Sequence, residues 1–327
     1  MAAFHKLKVS DVKEETSDCV SVGFDIPSAL QKEFEFIQGQ YITLKLEVNG
    51  EALRRCYSIC NSPNDGKLRV AVKRVVDGRA SNWINDKLKA GDDLTVMTPM
   101  GNFYSDLNPN NKKTYVLFAG GSGITPMMSI LKTVLETEPS SSVVLFYGSL
   151  TESAIIFKKE LDDIQSANSD HLSIHYVLDK PEGELDSLYI GIMTEDKIHE
   201  LMTKFVEVGN SNEYFLCGPT GMKDNVLSYL NTSGIDEETI HVEIFTSDPD
   251  IPEDDEAEVG DAAAAVTSCE ATIILDGDEY QATIKEGDVV LQVALDAGLD
   301  APYSCRGGMC STCRAKVIEG KAEMKVN

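Results

Sequence analysis

The chain has 327 residues, 42% of them hydrophobic and 25% charged, so its length predicts two or three domains of ordinary globular composition. A formal net charge of −25 argues against binding to nucleic acid, which needs clustered lysine and arginine. The charge is consistent with a basic protein partner or with an acidic surface adapted to salt. No segment has a signal-peptide pattern or enough apolar length to span a bilayer, so we expect a cytoplasmic protein without membrane contact.

Residues 1–110 consist mainly of short alternating runs such as YITLKLEV and KLRVAVKRV, separated by Gly, Pro, Asn and Asp. This pattern predicts an antiparallel β-barrel or sandwich. A short helix is expected over residues 80–89, and its N-terminus, with Ser81, could hold a phosphate. Arg55, Tyr57 and Ser58 lie in one strand of this region. They are predicted to direct a cation, an aromatic ring and a hydroxyl to one face, as alternate positions of a strand do. Such a face could bind a phosphate and a flat ring, although an edge strand of mixed polarity is the simpler interpretation of this segment alone.

Residues 111–246 change to strands that alternate with helices, which predicts a parallel sheet built from βαβ units. The run GGSGITP, residues 120–126, follows the strand TYVLFA. Its glycines allow a pyrophosphate to approach backbone amides, with Thr125 as the expected N-cap and Pro126 at the first helical position. Pro126 in place of a third glycine excludes the standard Rossmann fingerprint, and glycine-rich turns also serve ordinary packing.

A second turn in this region, CGPTGM at residues 217–222, follows the strand EYFL. Ligands of open α/β sheets bind outside the carboxyl ends of the strands. Cys217 is therefore expected to face a bound ligand, and a buried structural cysteine is the alternative.

Residues 247–265 contain eight acidic residues, two prolines and no basic residue. A segment of this composition cannot bury apolar area, so we interpret it as a mobile linker between domains. An acidic docking segment is the alternative.

Residues 266–327 begin with two alternating strands around the turn Asp276-Gly277-Asp278, followed by the helix VVLQVALDAG and a final strand, RAKVIEG. Cys305, Cys310 and Cys313 have the spacing C-x4-C-x2-C of plant-type [2Fe–2S] proteins. A tight group of cysteines in a cytosolic chain indicates metal binding rather than disulfides.

A plant-type cluster needs four thiolates, and no cysteine follows Cys313 in residues 314–327. Cys269 lies at the start of the domain's first strand, an improbable position for a ligand. We therefore expect the fourth ligand to be absent from this chain and the domain to be truncated at its C-terminus, the alternative being an incomplete cluster.

The motifs RxYS, GGSGITP, CGPTGM and C-x4-C-x2-C, in this order, resemble the ferredoxin–NADP reductase superfamily with a C-terminal plant-type ferredoxin domain. Within it, the runs LRRCYSIC, VKRVVDGRASNWIND and GDDLTVMTPMGNF are similar to the reductase subunits of phenylacetyl-CoA epoxidases (phenylacetate-CoA oxygenases). The resemblance implies a flavin-binding β-barrel at residues 1–110, an NAD(P)-binding α/β domain at 111–246 and a β-grasp ferredoxin domain at 266–327. FAD is expected rather than FMN.

The resemblance also implies roles for individual residues. Arg55 would neutralise the flavin pyrophosphate, Tyr57 would stack on the isoalloxazine ring and Ser58 would lie near flavin N5. The remaining positions that the resemblance assigns to the cofactors are Val72, Lys73, Arg74 and Ser81 for the flavin, Gly121, Gly123 and Thr125 for the dinucleotide phosphates, Cys217 for the nicotinamide, and Glu243 and Phe245 beside the flavin ring. Ser58, Cys217 and Glu243 are the residues expected nearest the chemistry.

The implied activity is electron transfer from NAD(P)H through FAD and the [2Fe–2S] cluster to a terminal oxygenase. NADH is favoured over NADPH, because no Arg or Lys follows the second strand of the α/β region before Lys158. The alternative is NADPH bound through Ser149 or through Lys158 and Lys159. The alternatives are a reductase for another acceptor protein, such as a ketosteroid hydroxylase, a desaturase or a hybrid-cluster protein, and a redox-inactive regulatory subunit whose cluster site has decayed.

Overall fold

The structure is a computed structural model that describes residues 3–207, 212–245, 268–275, 277–299, 301–303 and 312–322. The chain divides into two compact units, residues 1–249 and 250–327, and each is described by itself. The acidic segment interpreted as a linker, residues 247–265, lies outside the described residues.

The first part of unit one is an antiparallel barrel of six strands in the order β4-β3-β6-β1-β2-β5. Its strands are β1 (Phe4–Thr16), β2 (Cys19–Asp25), β3 (Tyr41–Val48), β4 (Glu51–Ser58), β5 (Leu68–Lys73) and β6 (Asp93–Met97). An antiparallel bridge between Ile59 and Val70 joins the two ends of the sheet and closes the barrel. Helix α1 (Arg79–Lys87) packs against β3 and β5 and buries Ile84 in the barrel core. The predicted β-barrel and its short helix are thus confirmed.

The second part of unit one is a parallel sheet of five strands in the order β11-β10-β7-β8-β9. The strands are β7 (Thr114–Gly120), β8 (Ser142–Ser149), β9 (Leu172–Leu178), β10 (Asn212–Cys217) and β11 (Ile240–Glu243), and the helices are α2 (Ile124–Thr137), α3 (Lys158–Ala167), α4 (Glu195–Phe205) and α5 (Thr220–Thr232). Short 3-10 turns in unit one cover Ser28–Leu30, Pro63–Asp65, Gly121–Gly123, Glu152–Ala154, Ser187–Tyr189 and Glu237–Thr239. The predicted α/β architecture is confirmed.

Strand β7 is buried on both faces because helices cover both sides of the sheet. Tyr115, Leu117 and Ala119 pack into the core that includes α2 and α3, while Val116 and Phe118 pack into the core that includes α4 and α5. After β7 the chain adds β8 and β9 on one side of this strand, and it then crosses to the other side for β10 and β11. The strand order therefore reverses between β7 and β10. Open α/β sheets bind ligands at such a reversal, outside the carboxyl ends of the strands.

One buried hydrophobic cluster contains residues of both the barrel and the α/β part. Cys19, Cys60 and Ala71 of the barrel belong to the same buried cluster as Met127 of α2 and Phe157 before α3. A buried hydrogen bond also joins the barrel to the α/β part, because Ser129 Oγ of α2 donates to the Asn61 carbonyl at 2.8 Å.

The buried carboxylate of Glu138 anchors the connection between the two parts. It accepts hydrogen bonds from the Asn108 amide, the Asn111 side chain, the Tyr115 hydroxyl and the Ser141 hydroxyl, all within 2.9 Å. The barrel and the α/β part are therefore held together by apolar and polar contacts.

Unit two contains the hairpin of β12 (Ser268–Leu275) and β13 (Asp278–Lys285), followed by helix α6 (Val290–Asp296). Leu275 pairs with Asp278, and Gly277, which lies between the two strands, has a φ of +94°. The prediction of a final strand at RAKVIEG is wrong, because residues 314–320 form no strand. Strand hydrogen bonds need a neighbouring strand, and the described part of this unit pairs only β12 with β13.

Among the described residues, no helix combines the length and the apolar character that crossing a bilayer requires.

Candidate functional site

Strand β4 carries Arg55 and Tyr57, which stand two residues apart and so share one face of the barrel sheet. In the antiparallel register they lie opposite Leu44 and Ile42 of β3. Arg55 is exposed, whereas Tyr57 is half-buried and packs against the edge of the barrel core. A cation beside a partly covered aromatic ring fits a ligand that has both a phosphate and a flat ring. These two residues therefore fit a flavin nucleotide.

Ser58 departs from the predicted shared face. It directly follows Tyr57, so strand alternation directs its side chain to the opposite side, and the residue is only 4% exposed. Ser58 is the last residue of β4, and the bridge at Ile59 closes the barrel immediately after it. The side chains that share a face are therefore those of Arg55 and Tyr57.

Val72, Lys73 and Arg74, at the end of β5, divide between core and surface. The Val72 side chain is fully buried in the barrel core, so only its backbone could meet a cofactor. Lys73 Nζ lies 3.5 Å from Asp18, and Arg74 Nη2 lies 2.6 Å from Asp86 of α1. Both cations are therefore partly neutralised by the barrel itself.

Ser81 lies in the first turn of α1 and organises the start of that helix. Its Oγ accepts the Val75 amide at 3.1 Å and lies 3.5 Å from the Gly78 carbonyl. A Cβ at Gly78, the N-cap, would lie 2.5 Å from Ser81 Oγ and 2.9 Å from Val75 Cβ. The glycine and the serine thus shape the helix N-terminus that the sequence predicted as a phosphate site.

The glycine turn after β7 and the CGP turn after β10 meet at the reversal of strand order. A Cβ at Gly123 would lie 2.0 Å from the Cys217 carbonyl oxygen, and a Cβ at Gly120 would lie 2.6 Å from Pro219 Cδ. Gly121 differs from both, because it has a φ of +52° and open space where its Cβ would be. Gly120 and Gly123 therefore permit close packing of the two turns, and Gly121 provides a left-handed conformation.

The expected N-cap at Thr125 is wrong. Helix α2 begins at Ile124, its N-cap is Gly123, and no side chain caps it. The 3-10 turn Gly121–Gly123 continues directly into the helix, so Thr125 is already inside it and its hydroxyl donates to the Ser122 carbonyl at 3.0 Å. Pro126 is consequently the third helical residue rather than the first, which remains compatible with a first turn whose N–H groups need no intrahelical acceptor.

Cys217 lies between Ala119 of β7 and Glu243 of β11 in the parallel register. The residue is fully buried. Burial raises the pKa of the Cys217 thiol well above its ordinary value, and the negative charge of Glu243 adds to the shift. Phe245 packs against the core cluster that contains Cys217. The structure thus places Cys217 beside Glu243 and keeps Cys217 as a neutral thiol, and Phe245, two residues after Glu243, packs against the same core cluster.

Two residues that the sequence analysis missed connect these elements. Tyr147 of β8 is fully buried and its hydroxyl donates to the Gly121 carbonyl at 3.0 Å. Arg69 of β5 bridges Glu15 on the barrel and Glu160 on α3, at 2.5 and 3.0 Å. In the sequence both lie in ordinary strand patterns, and Arg69 and Glu160 are 91 positions apart, so no local signal identifies them.

The expected cluster ligands Cys305 and Cys310 lie outside the described residues. Cys313 is described, half-buried and next to the buried Thr312. The fit of a cluster therefore depends on the chemistry of the donor set: Cys305, Cys310 and Cys313 have the C-x4-C-x2-C spacing and supply three of the four thiolates that such a cluster needs.

Three domain families match the chain in succession: the oxidoreductase FAD-binding domain over residues 6–104, the oxidoreductase NAD-binding domain over 117–227 and the 2Fe-2S iron-sulfur cluster binding domain over 273–326. These matches agree with the barrel, the α/β part and the hairpin unit, and they support FAD, NAD(P)H and a [2Fe–2S] cluster as the redox groups.

Similar proteins cover almost the whole chain. The chain is 35% identical to one of the subunits of the 1,2-phenylacetyl-CoA epoxidase of Escherichia coli, over all of this chain and 90% of the relative. It is 34% identical to the ferredoxin reductase component of 3-ketosteroid-9-alpha-monooxygenase of Rhodococcus rhodochrous, over 98% of this chain and 87% of the relative.

Among solved structures, a cytochrome P450 reductase from Amycolatopsis aligns with a TM-score of 0.62 and 26% identity, over 75% of this chain and 71% of that one. The chain therefore belongs to the family of NAD(P)H-dependent oxidoreductases that join an FAD-binding barrel and an NAD-binding α/β domain to a C-terminal 2Fe–2S domain.

Proposed function

We propose that this chain is the reductase component of a multicomponent oxygenase, and that its terminal partner is a phenylacetyl-CoA epoxidase. The observation that carries the proposal is the 35% identity to a subunit of the Escherichia coli epoxidase over the whole chain. A net charge of −25 would steer the reductase toward a basic surface on its partner. The cytoplasmic location expected from the sequence stays part of this proposal.

We assign the flavin to the face of β4. The exposed Arg55 would bind the pyrophosphate and the half-buried Tyr57 would cover one side of the isoalloxazine ring. The N-terminus of α1, shaped by Gly78 and Ser81, would hold the second phosphate with backbone amides. Ser58 would act from the end of β4, while Val72, Lys73 and Arg74 would contribute mainly through the backbone of β5, since their side chains are buried or paired.

We assign the dinucleotide to the reversal point between β7 and β10. The start of α2 offers a helix N-terminus to an anion, so Gly121, Gly123 and Thr125 would bind phosphate through the backbone. The neutral thiol of Cys217 would pack beside the nicotinamide without acting as a nucleophile, because a buried thiol with a raised pKa is not ionised. Glu243 and Phe245 would border the flavin ring from β11.

We also propose that NADH is the preferred donor. Two carboxylates lie beyond β8 and β9: Glu152 accepts the Glu182 amide at 3.1 Å, and the Ser153 hydroxyl donates to Glu182 at 3.0 Å. An acidic residue in this region can accept a hydrogen bond from the ribose 2′-hydroxyl and would repel a 2′-phosphate. The two lysines that open α3 are each paired with an aspartate one turn on.

The cofactors supply the conversion of one hydride into two single-electron transfers that an oxygenase can accept. The chain's residues would position them, with Cys305, Cys310 and Cys313 as the cluster ligands in this sequence. The acidic segment at residues 247–265 would allow the 2Fe–2S domain to reach both the flavin and the partner. If a shortened linker left partner turnover unchanged, that role would be excluded.

The test is reconstitution with purified oxygenase components. The chain, NADH and phenylacetyl-CoA would be combined with the oxygenase component of a phenylacetyl-CoA epoxidase, and product formation would be measured against NADH consumption. Parallel reactions would use the oxygenase components of a 3-ketosteroid monooxygenase and of a glycine betaine monooxygenase, because reductases of both systems are relatives of this chain.

Product in the first reaction alone supports the proposal, and product in another reaction reassigns the partner. NADH-dependent reduction of ferricyanide without product in any reaction would indicate another acceptor, such as a desaturase or a hybrid-cluster protein. Failure to oxidise NADH at all would identify a redox-inactive regulatory subunit.

A further inference from the structure

We infer that Tyr147 is a positioning residue for the dinucleotide, because its hydroxyl fixes the peptide plane at which the glycine turn meets the bound phosphates. This inference rests on the proposed role of that turn in dinucleotide binding. Tyr147 lies on β8, opposite Ala119 of β7 and Tyr176 of β9.

The Tyr147 hydroxyl makes two hydrogen bonds that connect separate segments. It donates to the Gly121 carbonyl at 3.0 Å and accepts the Ile156 amide at 3.2 Å. Burial raises the pKa of this hydroxyl well above its ordinary value. The group therefore stays neutral, with one proton to give and lone pairs to accept, which is what this bridge requires.

The Gly121 carbonyl accepts from both the Tyr147 hydroxyl and the Ile124 amide, and the two donors together determine which way the turn presents its amides. In a planar trans peptide the carbonyl and the following N–H point in opposite directions. With the Gly121 carbonyl directed at the buried Tyr147 hydroxyl, the Ser122 N–H is directed away from it. The open space at Gly121 is consistent with a ligand approaching the turn on the side away from Tyr147.

The same bridge connects the turn to the barrel. Ile156 directly precedes Phe157, whose φ of +62° is unusual for a residue other than glycine. The Arg69 guanidinium of β5 lies over the Phe157 ring, 5.0 Å from its centroid. Tyr147 holds the Ile156 amide and Arg69 covers the Phe157 ring, so a chain of contacts runs from the glycine turn through this segment to the flavin barrel.

The test compares Tyr147→Phe with Tyr176→Phe. Tyr176 is a matched control, because its ring lies 6.1 Å from that of Tyr147 and its hydroxyl donates to Asp162 at 2.9 Å, with no bond to the turn. Isothermal titration calorimetry with ADP-ribose, which has the pyrophosphate but no nicotinamide, measures binding at the turn. Steady-state NADH oxidation with ferricyanide separates KM from kcat, and the flavin spectrum monitors the barrel.

We expect Tyr147→Phe to weaken ADP-ribose binding about tenfold and to raise the KM for NADH by the same factor. The loss of one hydrogen bond of ordinary strength corresponds to about this change. The kcat and the flavin spectrum should stay within about twofold of the native protein, and Tyr176→Phe should leave both constants unchanged. Native affinity in Tyr147→Phe, equal losses in the two variants, or a fall in kcat at constant KM would overturn the inference.

A second pair of variants applies if Tyr147→Phe does not fold. Gly121→Ala disfavours the left-handed conformation that directs the carbonyl to Tyr147, whereas Gly234→Ala introduces the same strain at a φ of +71° beyond α5. We expect weaker ADP-ribose binding only in Gly121→Ala, and equal binding in both variants would contradict the inference. A native protein that neither binds ADP-ribose nor oxidises NADH would instead refute the proposed function.

Discussion

Arg69 joins the barrel to the α/β part of unit one by charge. Its guanidinium lies 2.5 Å from the Glu15 carboxylate on β1 and 3.0 Å from Glu160 on α3. The Glu15 side chain is 4% exposed and that of Arg69 is 20% exposed, so this pair is largely shielded from solvent. A perturbation at Arg69 therefore tests whether the contact between barrel and α/β part stabilises the fold.

The perturbation is Arg69→Met, which keeps the aliphatic length and removes the charge. Removing one partner of a buried ion pair costs about 3–5 kcal/mol, because the other charge is left without compensation. Glu15 keeps two partners, Lys13 Nζ at 3.0 Å and the Ser21 hydroxyl at 2.7 Å. We therefore expect a loss of about 3 kcal/mol in the free energy of unfolding, at the low end of that range.

The assay is denaturant unfolding at pH 7, monitored by fluorescence. Lys159→Met is the control, because it removes a cation from an exposed pair on α3 with Asp163 and should leave the free energy of unfolding nearly unchanged. Adding Glu15→Gln to Arg69→Met should recover part of the loss, since the buried carboxylate that has lost Arg69 is then uncharged. A stability of Arg69→Met equal to that of the control, or a double variant no more stable than the single one, would refute this account.

Three further predictions concern the pH dependence of stability, the retention of flavin and the binding of iron. Burial raises the pKa of the Cys19 and Cys60 thiols from 9.0 to about 12, so the folded state keeps protons that the unfolded state loses above pH 9. Between pH 9 and about pH 12, the free energy of unfolding should then fall by up to about 1.4 kcal/mol per pH unit for each thiol. Cys60→Ala should reduce that slope, and an unchanged slope would contradict the prediction. Tyr57→Leu should purify with at least tenfold less flavin, whereas Tyr57→Phe, which keeps the stacking ring, should retain it; equal flavin in both would exclude stacking. Cys313→Ser should lose bound iron but keep NADH-dependent reduction of ferricyanide, while Cys269→Ser, exposed on β12, should lose neither; equal iron in the two variants would remove Cys313 from the ligand set.

The sequence predicted elements whose signal is local. Alternating runs identified the barrel, and the change to strands and helices after residue 111 identified the parallel sheet. The glycine turn and the CGP turn were recognised separately, and strand order explains why they meet, since β7 and β10 are neighbours. The start of α2 was misjudged because Thr125 has the residue type of an N-cap, whereas the 3-10 turn before it already begins the helical hydrogen bonding.

The sequence did not predict contacts that depend on the packing of distant segments. The Tyr147 hydroxyl meets Gly121 across 26 positions, and Arg69 meets Glu160 across 91. Neither residue interrupts the pattern of its strand, so the pattern carries no information about its partner. The strand expected at residues 314–320 failed for a related reason: Val317 and Ile318 have the composition of a strand but are 54% and 75% exposed, and composition alone does not supply a pairing partner.

The central claim, that this chain passes electrons from NADH through a bound flavin, is tested most directly by an anaerobic NADH titration of the purified protein followed by visible absorption. We predict flavin bands that bleach with NADH, together with broad cluster absorption that also decreases where the cluster is assembled. Flavin bands that do not respond to NADH, or a purified protein without flavin after supply of FAD, would contradict the account.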